Sequence, residues 1–244
     1  MDILQTPWLL AAVGAIVFVA AIVQFRLGFG FGLMAAPLLA VLDPVLVPAP
    51  TLMIGMGSSA MGAWRERGSI VWGEVWTGLA GRLAGVVLAM LLLASVGSPE
   101  TFGLVFGLMV GLAVILSALG LRLPFTRTSL VGMAAVSGTM ATVTSVGAPP
   151  MAIIYQHRPP GQARPTLAAF FAAGCVASLV GLGLAGRIGA DDFLLAALMV
   201  PPMLLGFAVA RRLELKAGTV AGYRRALLAV AGFAAVVLVV RGRA

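Results

Sequence analysis

Gly28-Phe29-Gly30-Phe31-Gly32 interrupts one apolar stretch, and Thr142-Val143-Thr144-Ser145-Val146-Gly147 interrupts another at the matching place in the second half of the chain. Each break leads into a short apolar segment carrying proline, Pro37 in the first and Pro149 and Pro150 in the second. Backbone freed from a helix inside a bilayer leaves N–H and C=O groups unpaired. It is tolerated only within protein or against a wet cavity. Paired breaks in two halves of an apolar chain therefore point to a transporter's binding site.

The setting is a membrane. Of 244 residues, 61% are hydrophobic and 10% charged, and the mean hydropathy is +1.10. A soluble domain would carry about 25% charge. Residues 1–8 contain no Lys or Arg, so the first apolar run is expected to be retained rather than cleaved as a signal. Cys175 is the sole cysteine and His157 the sole histidine, which excludes an internal disulfide and a multi-cysteine metal site. The net charge of +8 reads as loop charge that orients membrane segments, not as a nucleic-acid footprint.

Apolar runs occupy residues 9–25, 33–42, 46–63, 75–96, 101–119, 129–141, 146–155, 167–184, 193–209 and 226–240. Six approach the roughly 20 residues that span a hydrocarbon core. The runs that follow the breaks, 33–42 and 146–155, are about 15 Å long as helices, half the core. At a constant offset of 115, Gly32 matches Gly147, Pro44 matches Pro159, and Pro50-Thr51-Leu52 matches Pro165-Thr166-Leu167. The expected domains are two membrane repeats, 1–120 and 121–244.

Charge gives the orientation. Arg65 with Arg67, Arg122 with Arg127, Arg158 with Arg164, and the group Arg211, Arg212, Lys216, Arg224 and Arg225 mark four cytoplasmic loops. Residues 95–100 have no basic residue and fit an outside loop. Residues 129–155 then enter from and return to the cytoplasm as a hairpin. Residues 9–42 form a second hairpin entering from outside. The expected fold is an all-α polytopic membrane protein of two inverted repeats, each a broken-helix hairpin plus three transmembrane helices. Arg241 and Arg243 fall outside on this scheme, against the charge rule, and early helices are given the greater weight.

Each short arm would start at its break with its helix N-terminus aimed at the membrane middle. Such ends carry partial positive charge and free N–H donors, a ready anion site. Gly28, Gly30, Gly32 and Gly147 let the backbone approach a ligand. Thr144 or Ser145 is expected to cap the second arm, with Thr142 adding a hydroxyl and Pro149 in the first turn. Alanine at Gly32 or Gly147 is expected to leave the fold intact and abolish binding. Arg26 adjoins the first break, and Arg82 lies inside an apolar run about 12 Å from the start of its helix. A charge within the membrane is a functional candidate, and Arg suits oxyanions, although both side chains could instead snorkel to the interface. Ser58 and Ser59, and Cys175 in their repeat counterpart, either line the site or serve close packing. Glu74 is expected at a helix start, near the positive dipole end. Gly103, Gly107 and Gly111, spaced by four, read as a packing face and a homodimer seam.

Enzyme signatures do not emerge: there is no Walker A loop and no HExxH. Ser137 and His157 do not promise a nucleophile–base contact, since the histidine sits in a loop with two arginines. No catalytic residue, metal or cofactor is expected.

The segment Gly28-x-Gly30-x-Gly32 followed by Pro37, its partner Ser137-Gly138 with Gly147 and Pro149, and the chain length resemble the TauE/SafE sulfite-exporter family, also called the 4-toluene sulfonate uptake permease family. The resemblance covers nearly the whole chain. It implies a carrier of the bacterial inner membrane, linked to sulfite, sulfoacetate, thiosulfate or related organosulfonates, with export as the expected direction. The chain departs from the family's denser second glycine run, having Thr142-Val143-Thr144-Ser145-Val146. Those hydroxyls would add donors for a larger sulfonate and leave the substrate open.

The expectation is a secondary transporter of a small sulfur oxyanion or organosulfonate, bound at the midplane between opposed hairpins. Its partners are that anion and the lipid bilayer. An anion channel and a membrane scaffold or assembly factor are the alternatives.

Overall fold

The computed structural model describes residues 6–27, 30–121, 123–212 and 217–242. Among them there is no strand, and ten α-helices follow one another: α1 Pro7–Leu27, α2 Phe31–Leu42, α3 Ala49–Arg65, α4 Trp72–Ser95, α5 Pro99–Ala118, α6 Arg127–Thr144, α7 Ala148–Tyr155, α8 Pro160–Leu184, α9 Ala190–Arg212 and α10 Ala217–Arg241.

Local chemistry sets the ends. Ser98 accepts from the Thr101 amide and precedes Pro99, which suits a first helical position. Thr126 accepts from the Ser129 amide at the start of α6. Asp43 accepts from the Val45 amide where α2 gives way to a short 3₁₀ turn. Glu74 sits in the first turn of α4 and also pairs with Arg158. Its charge ties two loops together besides meeting the helix dipole.

Six of the helices are long and apolar enough to cross a membrane. Their outward faces agree with that solvent. Leu83, Val87, Leu88 and Leu91 on α4, and Leu108, Leu112 and Ile115 on α5, are exposed. Soluble proteins rarely show contiguous apolar surface of that extent. Trp64, Trp72 and Trp76 are exposed close to the Arg67 turn, as amphipathic rings are at a headgroup layer.

Pairing follows a regular scheme. α4 packs on α6, and α1 on α9; α3 packs on α8, and α5 on α10. α2 touches α10, and α7 touches α5. Exchanging the first five helices for the last five maps each of these contacts onto another or onto itself. α3 and α8 run antiparallel, since Gly55 faces Cys175 and Gly62 faces Ala168. α4 and α6 run parallel and almost touch, because a Cβ on Gly81 would collide with the Val131 carbonyl and one on Gly85 with the Ala135 carbonyl. Gly107 is packed against Val239 and Ala235 of α10, while a Cβ on Gly103 or Gly111 would meet nothing within 4 Å. The central glycine of that stripe serves a contact within the chain.

The basic loops gather at one end. Arg158 pairs with Glu74, Arg164 with Glu66, and Gln156 donates to the Leu121 carbonyl. At the opposite end Arg187 donates to the Leu93 carbonyl and Arg241 to the Val41 carbonyl.

The breaks turn the chain with left-handed backbone. Gly30 has φ 112° and Ser145 has φ 62°, and these two residues stand at the same offset of 115 as the sequence matches. The arms before and after each break differ in length. α1, with 21 residues, is about 31 Å long and reaches the basic end, whereas α2, with 12, returns only about 18 Å. α6 and α7 repeat the pattern with 18 and 8 residues. Each hairpin is one long helix and one short arm.

Candidate functional site

The two hairpin tips meet. A Cβ on Gly32 would collide with the Ser145 carbonyl, so the tips lie in backbone contact. A Cβ on Gly147 would stand 2.8 Å from the Ala141 Cβ and 2.9 Å from Ser137 Oγ. Packing alone therefore calls for glycine at both repeat-matched positions. This runs against the expectation that alanine there leaves the fold intact.

Beside the contact lies a cavity of about 40 Å³. Gly30, Gly32, Ser145 and Gly147 line it, together with Gln24, Thr51, Ser59 and Arg82. Phe31, Phe171 and Cys175 supply apolar wall. One water needs roughly 10–15 Å³, so there is room for about three.

Arg82 is the unusual member. It comes from the middle of α4 and is 0% exposed. Its Nη1 donates to the Ser137 carbonyl at 3.4 Å and to Ser137 Oγ at 3.2 Å, and its Nη2 to Ser178 Oγ at 3.3 Å. Its Nε has no hydrogen-bond partner. Gly174 makes space for the guanidinium, since a Cβ there would stand 2.7 Å from Nε. Among the described residues the ion pairs are Arg65–Glu66, Arg158–Glu74 and Arg164–Glu66; Arg82 is in none of them.

Hydroxyls tie the guanidinium to the second break. Ser137 Oγ donates to the Gly147 carbonyl at 2.7 Å. Ser178 Oγ and Thr142 Oγ1 share a hydrogen bond of 2.8 Å, and Thr142 Oγ1 also donates to the Gly138 carbonyl. Thr142 stands two hydrogen bonds from the guanidinium, behind Ser178. Thr144 donates to the Met140 carbonyl and accepts from the Val146 amide, and Ser145 Oγ donates to the Pro48 carbonyl. Neither caps α7, where Gly147 holds the N-cap without a side-chain bond.

The helix ends also differ from expectation. Pro149 and Pro150 fill the first turn of α7, and proline has no N–H. That end offers its dipole but few donors. At α2 the first amide, Phe31 N–H, is already taken by Gln24 Oε1 at 3.0 Å.

Two further candidates stand elsewhere. Arg26 donates to the Ala210 carbonyl at 3.4 Å, near the basic end of α9. Ser58 lines a separate crevice with Arg65, Glu66 and Arg164. Gly28 lies outside the described residues. Conversely, Gln24 and Ser178 join the site although the sequence reading does not single them out. The signal available for each is a lone polar side chain within an apolar run.

The family model described as "Sulfite exporter TauE/SafE" matches residues 13–238. The chain belongs to that family. The TauE/SafE match spans both breaks and every residue that lines the cavity. Membership makes this multi-pass protein a membrane transporter of the sulfite-exporter type. No curated protein and no solved structure matches it.

Proposed function

We propose that this TauE/SafE protein is a secondary carrier that exports a small sulfur oxyanion, with sulfite as the reference substrate, from the bacterial cytoplasm across the inner membrane. The anion is held between the hairpin tips by Arg82, with Gly30, Gly32, Ser59, Ser145 and Gly147 around it. The basic loops face the cytoplasm, and the two halves, 1–120 and 121–244, are inverted copies.

One observation carries the reading. Arg82 is fully buried in mid-helix, forms no ion pair and has an unpartnered Nε, yet lines a cavity. An uncompensated charge in a low-dielectric interior costs several kcal/mol. A bound anion supplies the missing charge, and a guanidinium fork matches an oxyanion. The N-terminus of α2 adds a helix dipole of the same sign. The cavity, about 40 Å³, suits a small oxyanion more closely than a sulfonate with an organic tail, which would need the tips to part.

The test is a thermal-shift panel on purified protein with sulfite, sulfate, sulfoacetate and an aromatic sulfonate. Binding to the folded state raises apparent stability. Sulfite is expected to give the largest shift in the wild type and none in Arg82→Met. In liposomes, flux that saturates and shows counterflow marks a carrier. Flux that does not saturate marks a channel, and no binding by any anion marks a scaffold.

A further inference from the structure

Gln24 is buried near the end of α1 and borders two spaces. It lines the cavity between the tips and also the crevice that Ser58, Arg65, Glu66 and Arg164 line at the basic end. That crevice holds about 10 Å³, barely one water and too little for an anion. Gln24 is the residue that the two linings share. Its Oε1 accepts from Phe31 N–H at 3.0 Å, and its Nε2 donates to Ser59 Oγ at 3.1 Å.

We propose that Gln24 is a substrate-site residue: its carboxamide oxygen occupies the anion's place at the start of α2 when the site is empty, and its displacement by the anion opens the way to the basic end. The inference rests on the carrier reading of the same cavity. The argument is one of competition. The first amide of a helix is a preferred donor to an anion, and here a neutral amide oxygen holds it. A charged oxygen accepts more strongly than a neutral one, and Arg82, lining the same cavity with a free Nε, adds attraction for the newcomer. Once Oε1 is released, Gln24 keeps only its bond to Ser59. Ser58, next in sequence, already belongs to the crevice wall, so withdrawal of one side chain joins the two spaces. A carboxamide is suited to this because it presents an acceptor to the helix and a donor to the serine at once.

Cys175 makes the test direct, since it is the chain's sole cysteine and lines the cavity. A membrane-impermeant, negatively charged methanethiosulfonate reagent is added to inside-out and to right-side-out membrane vesicles, without substrate. From the basic side, Gln24→Ala and Gln24→Met are expected to label at least tenfold faster than wild type, and Ser59→Ala by a smaller factor. From the opposite side the rates are expected to stay unchanged. Gln24→Glu keeps the acceptor for Phe31 N–H and replaces the donation to Ser59 by acceptance from its hydroxyl, but adds a negative charge where the anion sits. It is expected to label as slowly as wild type and to bind sulfite at least tenfold more weakly in a titrated thermal shift. Wild-type labelling rates in both Gln24→Ala and Gln24→Met, or rates raised equally from both sides, would overturn the role. So would undiminished sulfite binding in Gln24→Glu. Failure of sulfite to bind the wild type would instead strike the carrier reading, and the labelling rates would still decide whether Gln24 closes the path.

Discussion

A buried arginine whose hydrogen bonds run to serine hydroxyls and a carbonyl separates charge from shape in a way that single substitutions can read. Arg82→Lys keeps the charge but replaces a planar fork with a point donor, and is expected to weaken sulfite binding about tenfold, or about 1.4 kcal/mol. Arg82→Met removes the cost of burying the cation, so its melting temperature without ligand is expected to equal or exceed that of the wild type while the sulfite shift vanishes. A lower melting temperature would assign Arg82 to the scaffold. Gly32→Ala reads the opposite case. Its new Cβ meets the Ser145 carbonyl, a backbone atom, and overpacking of that kind costs about 1–3 kcal/mol. Its melting temperature without ligand is expected to fall, whereas Gly111→Ala, with nothing within 4 Å, is expected to melt as wild type or slightly higher. Arg82 stood out in the sequence as a charge inside an apolar run, with snorkelling as the alternative, and the side chain is 0% exposed. Arg26 shows the limit. It adjoins the break in sequence, but α1 runs past the membrane middle, so the residue beside the break lies near the basic surface, against Ala210.

At the level of helices, the short arms were legible because glycine and proline leave marks that no side-chain packing is needed to see. Which faces meet was not. Gln24 and Ser178 acquire their roles only when α1 meets α2 and α3, and α8 meets α4 and α6. The paired prolines after the second break were visible, yet their missing N–H groups make the two arms unequal as anion sites. The antiparallel contact of α3 with α8 can be checked by cross-linking. In a Cys175→Ser background, Gly62→Cys with Ala168→Cys brings two Cβ atoms to 3.6 Å, within the range a disulfide requires. Mild oxidation is expected to cross-link that pair and to leave Gly55→Cys with Ala168→Cys open. The reverse outcome would mean the helices are out of register.

Over the whole molecule, the basic loops were legible as one side, and the contacts of Glu66, Glu74 and Leu121 bring them together. The proposed inversion of the halves has a direct test. In the Cys175→Ser background, single cysteines at Gly68, Thr126 and Gly161 are expected to react with an impermeant reagent from the cytoplasm, and one at Ser98 from outside. Reaction of the Thr126 and Gly161 positions from opposite faces would remove the second hairpin and the inversion with it. The contact scheme repeats between the halves, but the chemistry does not. At the offset of 115, Gln24 meets Thr139 and Arg82 meets Ala197. Among the described residues, a backbone that pairs evenly thus carries its buried charge, Arg82, on one half alone.

That buried cation also bears on which ions can sit between the tips. Hydroxyls that share hydrogen bonds can pass a proton along, and Thr142 with Ser178 is joined to Ser137 only by way of the guanidinium of Arg82. A fixed positive charge repels hydronium as it attracts anions. The side chain that would hold the cargo would thereby also keep a hydrated proton out of the same cavity.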